Sequence, residues 1–250
     1  MKYAIVTGAS KGLGEAIAKR LINEQIAIVS VSRTENEDLK KLAQEKKTFY
    51  HHFSCNLSLE KEVEEVFMFI NHYIFEKEPE EILLFNNAGI IEPIENVGNL
   101  DLTPMVRNIK VNLVAPILIT NLLFKEAHLA STPIQVINIT SGAANRPIEG
   151  WSVYCSSKSA LNMFTKTAAI EQKEKKTKNK IIAFNPGVMD TKMHETVRTA
   201  FKDAFKEIDK DKEYKKKTRI VQVEDAANYL IDLVLSGNLE NGKVYHMKEQ

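Results

Sequence analysis

Short runs of apolar residues recur along the chain. They alternate with stretches where apolar residues return every three or four positions. The runs are Tyr3-Ala4-Ile5-Val6, Ile26 to Val31, Thr48 to Phe53, Ile82 to Phe85, Ile134 to Ile139, Lys180 to Phe184 and Lys243 to His246. A short, near-continuous apolar run predicts a strand buried on both faces of a parallel sheet. The stretches between them predict helices. Leu13, Ile17 and Leu21 form one apolar stripe, and Val63, Val66, Phe67, Ile70 and Ile74 another. Thr34-Glu35-Asn36-Glu37 reads as a capping box opening a polar helix to about Lys47, and Asn56-Leu57-Ser58 opens the next helix. Longer helices are predicted from about Leu102 to Leu129 and from Ser152 through Ala160, Leu161, Phe164 and Ala168, with a further one from Glu224 to Leu235. The alternation predicts an α/β fold: one doubly wound parallel sheet of about seven strands with helices on both faces. No internal repeat or flexible linker interrupts it, so a single domain over residues 1–250 is expected.

From Lys192 to about Lys217 the pattern becomes charged, with Met193, Val197, Phe201, Phe205 and Ile208 on one helical face. Because it follows the sixth strand, the reading is a substrate lid over 189–217; a simple surface helix is the alternative.

Composition narrows the function classes. Hydrophobic residues make up 44% and charged residues 27%, with a formal net charge of +1. Such a near-neutral chain has no field to draw nucleic acid or an anionic membrane. The two cysteines, Cys55 and Cys155, are too few for a disulfide framework. Met1-Lys2 runs directly into a strand with no apolar h-region, so no signal peptide is expected. The longest apolar stretch, Val111 to Phe124, is broken by Asn112, Pro116 and Asn121 and reads as too short for a membrane span. The expected location is cytoplasmic. His51 and His52 alternate across a strand and lack a partner cluster, so no metal site is expected.

Chemistry enters at the ends of the predicted strands. The first leads into Gly8-Ala9-Ser10-Lys11-Gly12-Leu13-Gly14 and a helix, a strand–turn–helix arrangement that rests a pyrophosphate on a helix N-terminus. The second ends at Ser32-Arg33-Thr34, with no acid to hold a ribose 2′-hydroxyl. Ser32 can donate a hydrogen bond, Arg33 can pair with a 2′-phosphate and Lys11 adds a second positive charge, which favours NADP(H) over NAD. The fourth ends in Asn86-Asn87-Ala88-Gly89, and Ser141 follows the fifth. Asn112 stands in an apolar helix and needs partners; Pro116, four residues on, predicts a kink that frees backbone groups. Tyr154 and Lys158 fall one helical turn apart, so an ammonium near the phenol can lower its pKa and fit it for proton transfer.

Taken together, Thr7-Gly8-x-x-x-Gly12-x-Gly14, Asn86-Asn87-Ala88-Gly89, Asn112, Ser141, Tyr154-x-x-x-Lys158 and Pro186-Gly187-x-x-x-Thr191 resemble the short-chain dehydrogenase/reductase family over the whole chain, and within it the benzil-reductase and sepiapterin-reductase subgroup. The resemblance implies a Rossmann fold and a reductase using NADP(H). It implies cofactor contacts at Gly8, Ser10, Lys11, Gly12, Leu13, Gly14, Ser32, Arg33, Asn56, Asn87, Ala88, Gly89, Tyr154, Lys158, Pro186, Gly187, Val188 and Thr191. Asn56 stands where such enzymes often carry an aspartate contacting the adenine amino group; its side-chain carbonyl is expected to accept that bond, with weaker or rearranged contact.

The resemblance also implies the roles. Ser141 and Tyr154 hydrogen-bond the substrate carbonyl and Tyr154 delivers the proton. Lys158 tunes Tyr154 and holds the nicotinamide ribose, Asn112 holds a relay water, and Val188 and Thr191 hold the carboxamide. The substrate is expected to be a small ketone, either an aromatic or vicinal diketone such as benzil or a pterin ketone. Ala143, Trp151, Met189 and Met193 would join Ser141 and Tyr154 in an apolar pocket, ordinary packing being the alternative for Trp151 and the methionines. A 3-ketoacyl-type reductase and a non-catalytic NADP-binding sensor or scaffold are the other readings. Apolar residues Leu118, Leu122, Leu123, Phe164 and Ala168 on the two long helices are compatible with a homodimer or homotetramer, and equally with packing on the sheet.

Overall fold

The computed structural model describes residues 1–189 and 220–247. Strands β1 (Lys2–Thr7), β2 (Ala27–Ser32), β3 (Tyr50–Ser54), β4 (Glu81–Asn86), β5 (Ile134–Ile139), β6 (Lys180–Asn185) and β9 (Val244–His246) form one parallel sheet in the order β3-β2-β1-β4-β5-β6-β9. Consecutive strands diverge to either side of β1, so the order reverses between β1 and β4. The crevice at this switch point lies beyond the carboxyl ends of the strands.

Side chains alternate across the sheet, and each face has its own core. Ala4, Val6, Phe85 and Phe184 pack with Ile17 and Leu21 of α1 (Gly12–Asn23), Leu39 of α2 (Glu37–Glu45) and Leu230 of α7 (Val223–Leu235). Ile5, Leu84 and Ile181 face the other way. They pack with Phe67 and Ile70 of α3 (Glu60–Phe75), Ile119 and Leu123 of α5 (Ala115–Ala130) and Ala168 of α6 (Ser152–Glu174).

Three expectations are refined. The second helix is capped by Asn36, not Thr34: its side chain accepts from Asp38 N and Leu39 N, and its amide donates to Ser10 O. The third helix starts at Glu60, because Asn56 and Ser58 form a local turn before it. A two-stranded parallel ribbon, β7 (Val188–Met189) with β8 (Ile220–Val221), went unread because each strand is only two residues long.

The length of the apolar helix is corrected: Leu102–Ala130 is one helical run of 29 residues, with an 18-residue window of mean hydropathy 1.3, long and apolar enough to cross a membrane by length and composition alone. The sequence reading counted only its apolar middle. It comprises α4 (Leu102–Ile109), a π-turn (Lys110–Val114) and α5. Here its buried side, including Val111, Ala115, Ile119 and Leu123, packs into the protein. Pro116 has no N–H for the carbonyl of Asn112, and the ladder shifts register at this point: Ala115 N donates to Lys110 O. The proposed lid helix, with Val197, Phe201, Phe205 and Ile208, lies outside the described residues.

Candidate active site

The glycine turn and the Asn86–Gly89 turn are built as one unit. Thr7 Oγ1 donates to Phe85 O at 3.2 Å and accepts from Asn87 N at 3.0 Å and Ala88 N at 3.1 Å. The Asn87 amide donates to Thr7 O at 2.9 Å. Gly8 and Gly12 adopt φ of +69° and +61°, where a side chain would be strained. Gly14 is needed for closeness: a Cβ there would lie 2.4 Å from both Gly8 O and Asn87 Nδ2. Ser10 is half-buried, Leu13 anchors α1 in the core, and Lys11 at the N-cap makes no side-chain capping bond. The first N–H groups of α1 are thus left for another acceptor, which fits the pyrophosphate of a dinucleotide.

At the ribose end, Ser32 is buried and its hydroxyl donates to Thr34 O at 2.8 Å. Its proton therefore holds the turn, which corrects the expectation of a donor facing the ribose. Arg33 and Lys11 are exposed and make no ion pair among the described residues. Asn56 follows β3 on the same edge, where Cys55 N bonds Ser32 O and Ser54 Oγ bonds Arg33 O.

The reacting side is buried. Tyr154 is 7% exposed and Lys158 4%. Lys158 Nζ sits 5.9 Å from the Tyr154 ring centroid and donates to Ile139 O at 2.8 Å. Burial pulls the Lys158 ammonium down to about 8. Burial pushes the Tyr154 phenol up to about 12, while the neighbouring Ser141 hydroxyl draws it down. The lowering expected from Lys158 is not found: burial dominates, and the Ser141 hydroxyl is the group that draws the phenol down. Ser141 is half-buried at the start of a 3₁₀ turn (Gly142–Ala144), its Oγ accepting from Ala143 N.

Asn112 is fully buried and its side chain is fully occupied. Oδ1 accepts from Ile90 N at 2.9 Å; Nδ2 lies within reach of Ile90 O, Asn108 Oδ1 and Ser157 Oγ at 2.8, 2.9 and 3.2 Å. A methyl on Gly89 would fall 3.3 Å from Asn112 Oδ1 and 3.5 Å from Lys158 Nζ, so the turn closes against both groups. Asn108, one turn earlier, donates to Ile90 O and Glu92 O. A second buried layer links Asn86 to Thr120 and Asn138, and Asn138 to Thr165. The sequence reading passed over Asn108, Thr120, Asn138 and Thr165. The available signal was a polar residue at a core position of an apolar element.

Ala143, Trp151 and Tyr154 pack with Ile91 in one apolar cluster edged by Ile94, Ile148 and Cys155. Trp151 meets Tyr154 edge to face at 5.7 Å. Met189 lies elsewhere: paired in the β7–β8 ribbon, it packs against the core beside α1 and α7. Pro186 is buried, Gly187 has φ +79° and Val188 is half-buried. Thr191 and Met193 lie outside the described residues.

The short chain dehydrogenase family pattern matches residues 2–202. The chain belongs to the short-chain dehydrogenase/reductase family. It is 35% identical to a benzil reductase ((S)-benzoin forming) of Bacillus cereus over 249 residues, covering all of both chains. It is 36% identical to the enzyme of that name from Bacillus subtilis, covering 100% of this chain and 99% of the other. Its fold matches an actinorhodin polyketide ketoreductase crystallised with NADPH, with a TM-score of 0.82, 21% identity and coverage of 98% and 95%. The chain is therefore an oxidoreductase of a family that uses NAD(P)H on small molecules.

Proposed function

We propose that the chain is a single-domain NADPH-dependent carbonyl reductase acting on aromatic or vicinal diketones such as benzil. The observation that carries the reading is the buried Tyr154–Lys158 pair, with Tyr154 in the apolar Ile91–Ala143–Trp151 cluster and Lys158 Nζ beside Gly89 of the Asn86–Gly89 turn. Relatives named for benzil reduction at 35% identity support the substrate class. Exposed Arg33 and Lys11 support a 2′-phosphate.

Bound NADPH supplies a hydride to the carbonyl carbon of the ketone. The chain's own residues handle charge and proton. Ser141 and Tyr154 hydrogen-bond the carbonyl oxygen, whose negative charge grows most in the transition state. Tyr154 gives up its proton, and burial, which pushes the phenol up to about 12, keeps it protonated until then. Lys158 holds the nicotinamide ribose and supports the phenolate formed. Asn112, with its side chain engaged by Ile90 and Ser157, offers its main-chain carbonyl to a relay water. The pocket wall of Ile91, Ala143 and Trp151 excludes water and takes the aryl group.

The outer sides of α5 and α6, with half-buried Leu118, Leu122 and Phe164 and exposed Met163 and Ile170, suit a homodimer or homotetramer. Leu123 and Ala168 belong to the core instead.

NADPH oxidation followed by absorbance tests the reading, using aromatic diketones, pterin ketones and acetoacetyl thioesters. Turnover of a diketone, with NADH much poorer, is expected. Tight NADPH binding with no ketone turned over would favour the non-catalytic sensor.

A further inference from the structure

Residues 87–96, which follow β4, carry no helix, strand or turn. No ladder sets their main chain, so its place depends on bonds from other parts of the molecule. Thr7 holds Asn87 N and Ala88 N at one end, and Glu95 N donates to Gly150 O at 2.9 Å near the other. Between these points the loop is held by the helical run beside it. Asn112 takes Ile90 at both N and O. Asn108, one turn earlier, sends its NH₂ to Ile90 O at 3.1 Å and to Glu92 O at 2.8 Å. A carbonyl can only accept, so the Asn108 NH₂ must face the loop. Its Oδ1 is then left for Asn112 Nδ2, at 2.9 Å. Asn108 is fully buried, and its bonds are shielded from water.

The residue between those two carbonyls is Ile91. Its side chain is buried and packs with Ala143, Trp151 and Tyr154. One amide therefore ties the main chain on both sides of Ile91, which fixes where that side chain stands. A ketone whose oxygen is held by Tyr154 brings its substituents to the same wall. A wall displaced by a fraction of an ångström loses contact with a large planar group and matters little to a small one.

We propose that Asn108 is a positioning residue for the substrate: by clamping the main chain on both sides of Ile91 it sets the pocket wall, and with it the affinity for ketones that carry an aryl group. The inference rests on the reductase reading above. Asn108 has no part in proton transfer, since Asn112 keeps Ile90 and Ser157 as partners without it.

The test is steady-state kinetics of the intact chain with NADPH, using benzil and the small aliphatic diketone butane-2,3-dione. In Asn108→Leu, KM for benzil should rise about tenfold while kcat for benzil stays within about threefold. KM for butane-2,3-dione and Kd for NADPH should stay within about twofold. A merely structural loss would lower the amount of active enzyme, and so kcat for both diketones alike. Ile91→Ala should also raise KM for benzil, and the double variant should raise it no further than the larger single change, because both act through one wall. Asn108→Ser, too short to reach both carbonyls, should show the same split and serves where the leucine variant does not fold. An unchanged KM for benzil in the Asn108 variants, equal rises for the two diketones, or effects that multiply in the double variant would overturn the inference and leave the reductase reading standing. No turnover of either diketone by the native chain would overturn that reading, and this inference with it.

Discussion

The two sides of the switch point handle polarity in opposite ways. Around β1, β2 and α1 the interior is mostly apolar, with Thr7, Ser30 and Ser32 as its buried polar residues, and the groups offered to a ligand are main-chain N–H groups and exposed cations at the rim. Around β4, β5, α5 and α6 the interior holds Asn86, Asn108, Asn112, Thr120, Asn138, Thr165 and Lys158, all buried and each held by hydrogen bonds. Binding a phosphate needs only backbone geometry, which glycine supplies. Holding a reacting tyrosine and lysine away from water needs side chains at fixed angles, and each buried polar group then needs its own partner.

The contrast can be broken from the binding side most severely by Gly14→Ala. The new Cβ meets Gly8 O and Asn87 Nδ2 at 2.4 Å, so the turn must move. A stability loss of about 3 kcal/mol and a fall in dinucleotide affinity of about a hundredfold are expected, read by denaturation and by cofactor fluorescence. An unchanged affinity would mean that the turn does not hold the dinucleotide.

On the reacting side, the buried charge gives the next largest effect. Burial holds Lys158 near 8 in the native chain against 10.5 ordinarily. Between those pH values the unfolded chain binds more protons, so stability contributed through Lys158 rises with pH. Measured against Lys158→Met, native stability should gain about 3 kcal/mol from pH 8 to 10.5 and show no pH dependence from this group below pH 7. Ionisation of Tyr154 affects both proteins and cancels. Denaturant midpoints of the two proteins across that range check it; a constant difference would contradict a desolvated ammonium.

Asn108→Leu should cost about 2 kcal/mol, because the carbonyl of Glu92 loses its side-chain donor and Asn112 Nδ2 loses an acceptor inside the protein. Chemical denaturation reads it, and a neutral result would mean water replaces the amide. The smallest effect belongs to the rim: Arg33→Ala should reduce the preference for NADPH over NADH by about tenfold, measured by the ratio of kcat/KM values.

The same division explains what could be read beforehand. The glycine turn, the positions of the strands along the chain and the Tyr154–Lys158 spacing follow from local rules of periodicity and turn geometry, and they appear where expected. The seven-stranded sheet was legible because most of its strands carry short, near-continuous apolar runs. Asn108 and Asn138 were passed over because their partners come from elsewhere in the chain, Ile90 and Glu92 for one, Asn86 and Thr165 for the other. For Ser32 and Asn56 the atom left free differs from the one the sequence suggested. A two-residue bond, to Thr34 and to Ser58 respectively, decides which end of each side chain is left for a ligand. Met189 was placed by proximity in sequence, whereas pairing with Val221 turns it to the core.

Tyr154, desolvated beside Lys158 and Ser141, is the proposed proton donor of a carbonyl reductase. Tyr154→Phe keeps the ring against Trp151 and removes the hydroxyl alone. Turnover of a diketone that the native chain reduces should fall by about 10²- to 10⁴-fold, while NADPH affinity stays within about twofold. Turnover retained within about tenfold of the native chain, with NADPH still bound, would contradict the claim.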